Sequence, residues 1–245
     1  MTQSTPVQPS APIALPKDIQ EITITLAAKN LDPTLLSEQF LKFSGIVAND
    51  WELARPAVLN PGGSQIMFKN GLGIVAQPRL VNFMETMTGK ASAEVLAPEV
   101  ARQFIAKLPN AEYQGLTISP KCLIPLPNNP DGGRKYITQN LLSPGPWQSF
   151  GKAPVQASVN FLYQFEGCQL NLNVNQATLQ IPDQPSVSAI LFTGNFNYPV
   201  DNPNVSDRLK TLEQYLSAWR SDVETFQAMV YERFMAQQQP ESLFS

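Results

Sequence analysis

Apolar and polar positions divide the chain into short alternating runs and two stretches of helical period. Ile22-Thr-Ile-Thr-Leu26 alternates strictly, as a strand with one buried face does. Asp32-Pro33 offers an N-cap followed by proline at the first helical position. Leu36, Phe40 and Phe43 then recur at helical spacing until Gly45 stops the run. Gln65-Ile-Met-Phe-Lys69 leads into Asn70-Gly71, and Leu72 to Ala76 returns. Asn-Gly between two such runs predicts a hairpin on a type I′ turn, whose two central residues need positive φ. A second helix opens at Pro98, carries Val100, Ala101, Phe104 and Leu108 on one face, and is closed by Pro109 after Lys107.

Further along, strands dominate. Val159, Phe161, Tyr163 and Phe165 share one face of a run that turns at Glu166-Gly167. On the return, Leu170, Leu172 and Val174 point inward while Asn171, Asn173 and Asn175 meet water. Ala177, Leu179 and Ile181 then put the apolar positions on the odd residues, a slip of phase that predicts a bulge near Asn175-Gln176. Ile190, Phe192, Phe196 and Tyr198 form a further strand. Residues 206–235 contain neither glycine nor proline, and Leu209, Leu212, Leu216, Trp219, Val223, Phe226 and Val230 step alternately by three and four. That seam predicts one helix roughly 45 Å long at 1.5 Å per residue. So regular a stripe requires burial, and the core face of the sheet is the surface it predicts; a coiled-coil contact with a second chain is the other.

Together these elements specify an α+β fold: an antiparallel sheet in two strand-rich lobes, 17–126 and 137–235, with a long C-terminal amphipathic helix packed on it. Pro125 to Lys135 is the densest run of turn formers and sets the seam loop at 127–136. The lobes share a loose order of helix, hairpin, strand and helix, which suggests a pseudo-duplication without a repeat of sequence. Residues 1–16, with Pro6, Pro9, Pro12 and Pro16, predict an extended mobile tail, and 236–245 a second flexible one.

Composition narrows the function. Charged residues are 15% of the 245, against about 25% in an ordinary domain, so Gln, Asn, Ser and Thr must form much of the polar surface. The net charge of −3 gives no broad attraction for nucleic acid or an anionic membrane. No run approaches the roughly 18 apolar residues of a spanning helix, and the N-terminus lacks the charge and apolar core of a signal peptide. The expectation is a soluble, cytoplasmic protein. Cys122 and Cys168 have no partner at zinc or redox spacing and read as two buried thiols, one long-range disulfide being the alternative.

Much chemistry is excluded. Gly71-Leu-Gly73-Ile-Val-Ala76 matches G-x-G-x-x-A, but Pro78 falls inside the helix that a dinucleotide fingerprint requires, at a cost of ~3 kcal/mol or more. The glycines therefore read as turn geometry. The chain has no histidine, which removes Ser-His-Asp and Cys-His pairs, histidine bases and every His-ligated metal. No phosphate-binding or calcium loop occurs, and Asp50 and Glu52 beside Trp51 are a chance pair among 20 acids. No cofactor is implied. The expected function is a non-catalytic protein-binding module of adaptor, assembly-factor or inhibitor type, with a small-ligand binder or carboxylate-only hydrolase as the alternative. Tyr215, Met229 and Tyr231 lie off the helical seam and are the expected partner contacts, self-association included. Arg134 and Lys135, beside flexible glycines, are the candidate anion contacts.

Overall fold

The alternating runs pair into one antiparallel sheet of nine strands. These are β1 (Glu21–Ala28), β2 (Val58–Asn60), β3 (Gly63–Met67), β4 (Leu72–Gln77), β5 (Leu80–Thr86), β6 (Tyr113–Pro125), β7 (Val159–Gln164), β8 (Gln169–Leu179) and β9 (Val187–Pro199). Their order across the sheet is β2-β3-β4-β5-β1-β6-β9-β8-β7. Among the described residues five α-helices join them: α1 (Glu38–Phe43), α2 (Ala97–Lys107), α3 (Gly132–Lys135), α4 (Val205–Ser217) and α5 (Trp219–Ala228). The computed structural model describes residues 19–60, 62–180 and 185–236. The expected tail at 1–16, nearly all of that at 236–245, and Ile181 lie outside them.

The sheet is a palindrome. β1 and β6 lie side by side at its centre; β5, β4 and β3 run outward from one, and β9, β8 and β7 from the other. In each half the central strand comes first in the chain, the others (β2 to β5 in one, β7 to β9 in the other) follow from the outside inward, and a helix closes the unit; the short β2 has no counterpart. This is the pseudo-duplication that the order of elements suggests. Residues 127–136 follow β6 and contain α3, so the change from one half to the other falls between α2 and β6.

One face of the sheet is the core. Phe83, Ile24, Ile118, Phe196 and Leu170 are successive cross-strand neighbours from β5 to β8, and all are buried. Helices cover this row: Phe104 of α2 meets Phe83 edge-on with ring centroids 5.4 Å apart, and Phe226 of α5 is wholly buried over β9. The seam of the last helix faces inward as expected: Leu212, Leu216, Trp219, Val223, Phe226 and Val230 are all buried.

Four local expectations are corrected. The hairpin at Asn70-Gly71 forms, but only Gly71 (φ +91°) has positive φ there. Phe68 N–H donates to Leu72 C=O and Gly71 N–H to Phe68 C=O, which makes a three-residue loop with a single left-handed residue. The Asn70 side chain accepts from Leu72 N–H, so that residue is held without visiting positive φ.

The first helix splits. Asp32 caps only a single tight turn, Pro33–Leu35; Leu36 leaves helical geometry (ψ 79°), and Ser37 caps the true α1. The expected bulge at Asn175-Gln176 is absent: β8 and β9 keep one register from Gln169↔Asn197 to Leu179↔Val187. Ala177 and Leu179 simply lie on the opposite face, half-buried. Lastly, the long helix breaks at Ala218, whose N–H reaches back three residues to Tyr215 C=O, and widens to π geometry over Met229–Phe234. Ser217 bonds its hydroxyl to Glu213 C=O at the break, a competition that bends helices.

Candidate functional site

The middle of the face opposite the core is a band of hydroxyl and amide side chains. Asn82, Thr25, Thr117, Asn197, Gln169 and Gln164 stand opposite one another in a row that crosses six strands from β5 to β7. Hydroxyls donate to amide oxygens along it: Thr25 to Asn82 at 2.7 Å, Thr117 to Asn197 at 3.0 Å and Ser119 to Asn195 at 2.9 Å. Each asparagine returns an amide N–H to a backbone carbonyl of the next strand, on Val75, Gln169 or Asn171. The polar groups therefore satisfy one another and leave hydroxyl oxygens as acceptors. Glu21 and Lys121 are the only charges that β1, β6, β8 and β9 contain, and they pair with each other. At one end of this face a depression of about 530 Å³ is lined by Thr25, Thr117, Gln164, Gln169 and Asn197 among others, with no charged side chain in its wall.

A second hollow is apolar. The split of the first helix turns Leu35 outward (63% exposed) and leaves Phe43 almost bare at 89%. Between Leu35 and the residues that follow α2 lies a cavity of about 320 Å³, walled by Leu31, Leu36, Phe40, Leu108, Pro109 and Ala111 together with Asn30 and Asn110. Asp32 and Lys107 are the charges in its lining. Hydrogen bonds from the Thr34 hydroxyl and amide hold the Asp32 carboxyl below the usual carboxylate range.

Behind the sheet is a buried polar cluster. The Tyr198 hydroxyl lies 2.9 and 2.8 Å from the two carboxylate oxygens of Asp222, and Tyr215 stacks on the Tyr198 ring at 4.7 Å. Burial pushes the Asp222 carboxyl up to about 6, although the tyrosine hydrogen bond pulls the other way. Burial and the adjacent carboxylate raise the Tyr198 hydroxyl as well, so it stays protonated. Cys168 is buried beside Tyr198, and burial raises its thiol. Sequence reasoning passed over Asp222. The signal was present: it lies three residues after Trp219 and four before Phe226, on the apolar stripe.

Glu85, the other fully buried acid, has a structural role. It binds Lys90 and accepts from the backbone N–H groups of Leu96 and Ala97, so it caps the start of α2.

The expected contacts are dispersed. Tyr215, Met229 and Tyr231 are half-buried and spend part of their surface on the protein's own core; the Tyr231 hydroxyl lies 3.0 Å from Cys122 Sγ. Arg134 is engaged by the Asp131 carboxylate at 2.8 and 2.9 Å, while Lys135 is exposed. Glu52 pairs with Lys69, and Trp51 packs edge-on against Phe68. Gly71 to Ala76 form a turn and β4, not the N-terminus of a helix. Cys122 and Cys168 are buried thiols rather than a disulfide. Among the described residues, no group of three or more Cys, Asp or Glu is placed to hold a metal ion, and no helix is long and apolar enough to cross a membrane. No protein-family model and no curated protein matches the chain.

Proposed function

We propose that this protein is a non-catalytic protein-binding module that receives a partner at the apolar hollow between α1 and α2. One observation carries the reading: Leu35, 63% exposed, stands in the wall of a cavity of about 320 Å³ lined mainly by apolar side chains, and Phe43 is 89% exposed at the end of α1. Hot spots of protein interfaces are apolar anchors seated in such pockets, ringed by groups that exclude water. Replacing Leu35 and Phe43 together with Ser should shift stability by no more than ~0.5 kcal/mol, because both are exposed. The same change should abolish capture of whatever the immobilised wild-type chain retains from native cytosol under crosslinking. Retention that survives the double change would move the contact elsewhere. No specific retention by wild type would reject the function.

The depression on the polar face supports a second reading, as a binder of a small neutral polar ligand such as a sugar or polyol. Its wall offers hydroxyls and amides but no carboxylate pair, so the lining provides no acid and base for hydrolysis. A melting-temperature screen of neutral sugars, repeated on Thr117→Val, tests it.

A further inference from the structure

Between Asp131 and Glu166 the chain has no acidic residue, yet it carries Arg134, Lys135 and Lys152 in a protein of net charge −3. Arg134 is neutralised by Asp131, which leaves Lys135 and Lys152 as exposed cations. The same stretch holds Phe150, 93% exposed, and Trp147, 40% exposed.

The turn before Phe150 is tied to the segment that carries Lys135. Gln148 Nε2 donates to Thr138 C=O at 2.7 Å, which ties the tight turn Pro146–Ser149 onto the helical segment Tyr136–Leu141. Thr138 in turn bonds its hydroxyl to Arg134 C=O at 3.0 Å, one turn back beside Lys135. Tyr136 and Ile137 are buried, and the Tyr136 hydroxyl donates to Phe234 C=O at 2.6 Å, so the platform is anchored to the last helix. An aromatic ring kept in water on an anchored turn is surface that another molecule gains by covering.

We infer that Lys135, Trp147, Phe150 and Lys152 form a second docking surface, for a protein partner that offers an apolar socket rimmed by carboxylates. The inference rests on the protein-binding reading above but not on the hollow at α1. The stretch itself adds no acid, the Asp131 carboxylate beside it is occupied by Arg134, and the two lysines complement a carboxylate rim. A lipid surface is the weaker occupant. Stable membrane attachment takes two strong signals, and two lysines with a little inserted aromatic surface fall short of them. A socket that dries a ring completely is how interface anchors work.

The test is a random peptide library displayed on phage and panned on the immobilised full-length chain. Enriched peptides should carry an aromatic or aliphatic residue flanked by Asp or Glu. A synthetic consensus peptide should bind Phe150→Ser at least about tenfold more weakly than wild type, with the melting temperature unchanged. Panning on Lys135→Glu/Lys152→Glu should reverse the enriched charge to Lys and Arg. Peptides that bind wild type and Phe150→Ser alike would overturn this surface and leave the protein-binding reading standing. A library without acidic enrichment overturns the inference outright. Sedimentation of wild type, but not Phe150→Ser, with phosphatidylcholine–phosphatidylserine vesicles would also overturn it and make lipid the occupant.

Discussion

Asp222 sits where a carboxylate is costly. The groups that face it are Tyr198 from β9 and Cys168 just before β8, neither of them cationic, with Tyr215 of α4 stacked behind the Tyr198 ring; Arg220 lies over the Trp219 ring instead. Its folded value of about 6 stands above the ordinary 3.8. Between those values the unfolded chain has lost the proton that the native state still holds, so stability falls as pH rises through that window. Two units correspond to about 3 kcal/mol at most. Asp222→Asn keeps the shape and an oxygen that can accept from Tyr198. It should raise stability by about 2 kcal/mol near neutral pH and give no gain below about pH 4, as read from paired thermal melts. A gain that is equal at both pH values, or a loss near neutrality, would show that the charge is compensated in the fold. Sequence pattern placed the seam around this residue correctly, yet Asp222 itself reads as one acid among 20, because burial depends on what crosses over it.

At the scale of elements, Gly194 decides how closely the last helix approaches the sheet. It lies between Phe192 and Phe196 on the core face of β9, and a Cβ built there would stand 2.7 Å from Cδ2 of Phe226. The glycine is the socket for that ring. Gly194→Ala should therefore cost about 1–3 kcal/mol through overpacking. Phe226→Leu, which thins the ring away, should recover part of that loss, so the double mutant is less destabilised than the sum of the singles. Strictly additive denaturation energies would mean that ring and strand do not meet. The strand, its apolar alternation and the helical seam were all legible in the sequence. Their mutual fit was not, since a glycine inside an aromatic strand reads equally as a bulge or a close approach. The first helix shows the same limit: spacing put Leu36, Phe40 and Phe43 on one face, but Ser37 re-caps the chain and Leu41 is the residue buried.

For the whole molecule, the central pairing of β1 with β6 makes each half depend on the other. β1 pairs with β5 on one side and with β6, a 13-residue strand, on the other; severing the halves would bare a long edge above an apolar face. Residues 19–109 and 110–236 expressed separately should each lack a cooperative thermal transition, while the intact chain melts in one. A half that unfolds cooperatively alone would show that the centre is a contact between domains instead of a shared core. The hydroxyl–amide band also belongs to this scale, because its rows run across both halves and exist only once the registers are set.

By itself the sequence determined the α+β class, the strands β1, β3, β4, β7, β8 and β9, and the inward seam of the last helix, because each follows from residue type and local period; β2, β5 and the central β6 were not legible in it. It also determined that Asn70-Gly71 turns back as a hairpin, since glycine tolerates positive φ there. Tertiary structure alone decided the order of strands, the split of the first helix, and the bareness of Phe43 and Phe150. The physical reason is common to all of these. They are set by which surfaces the fold brings to cover one another, and pairing between distant segments leaves no periodic trace in either one.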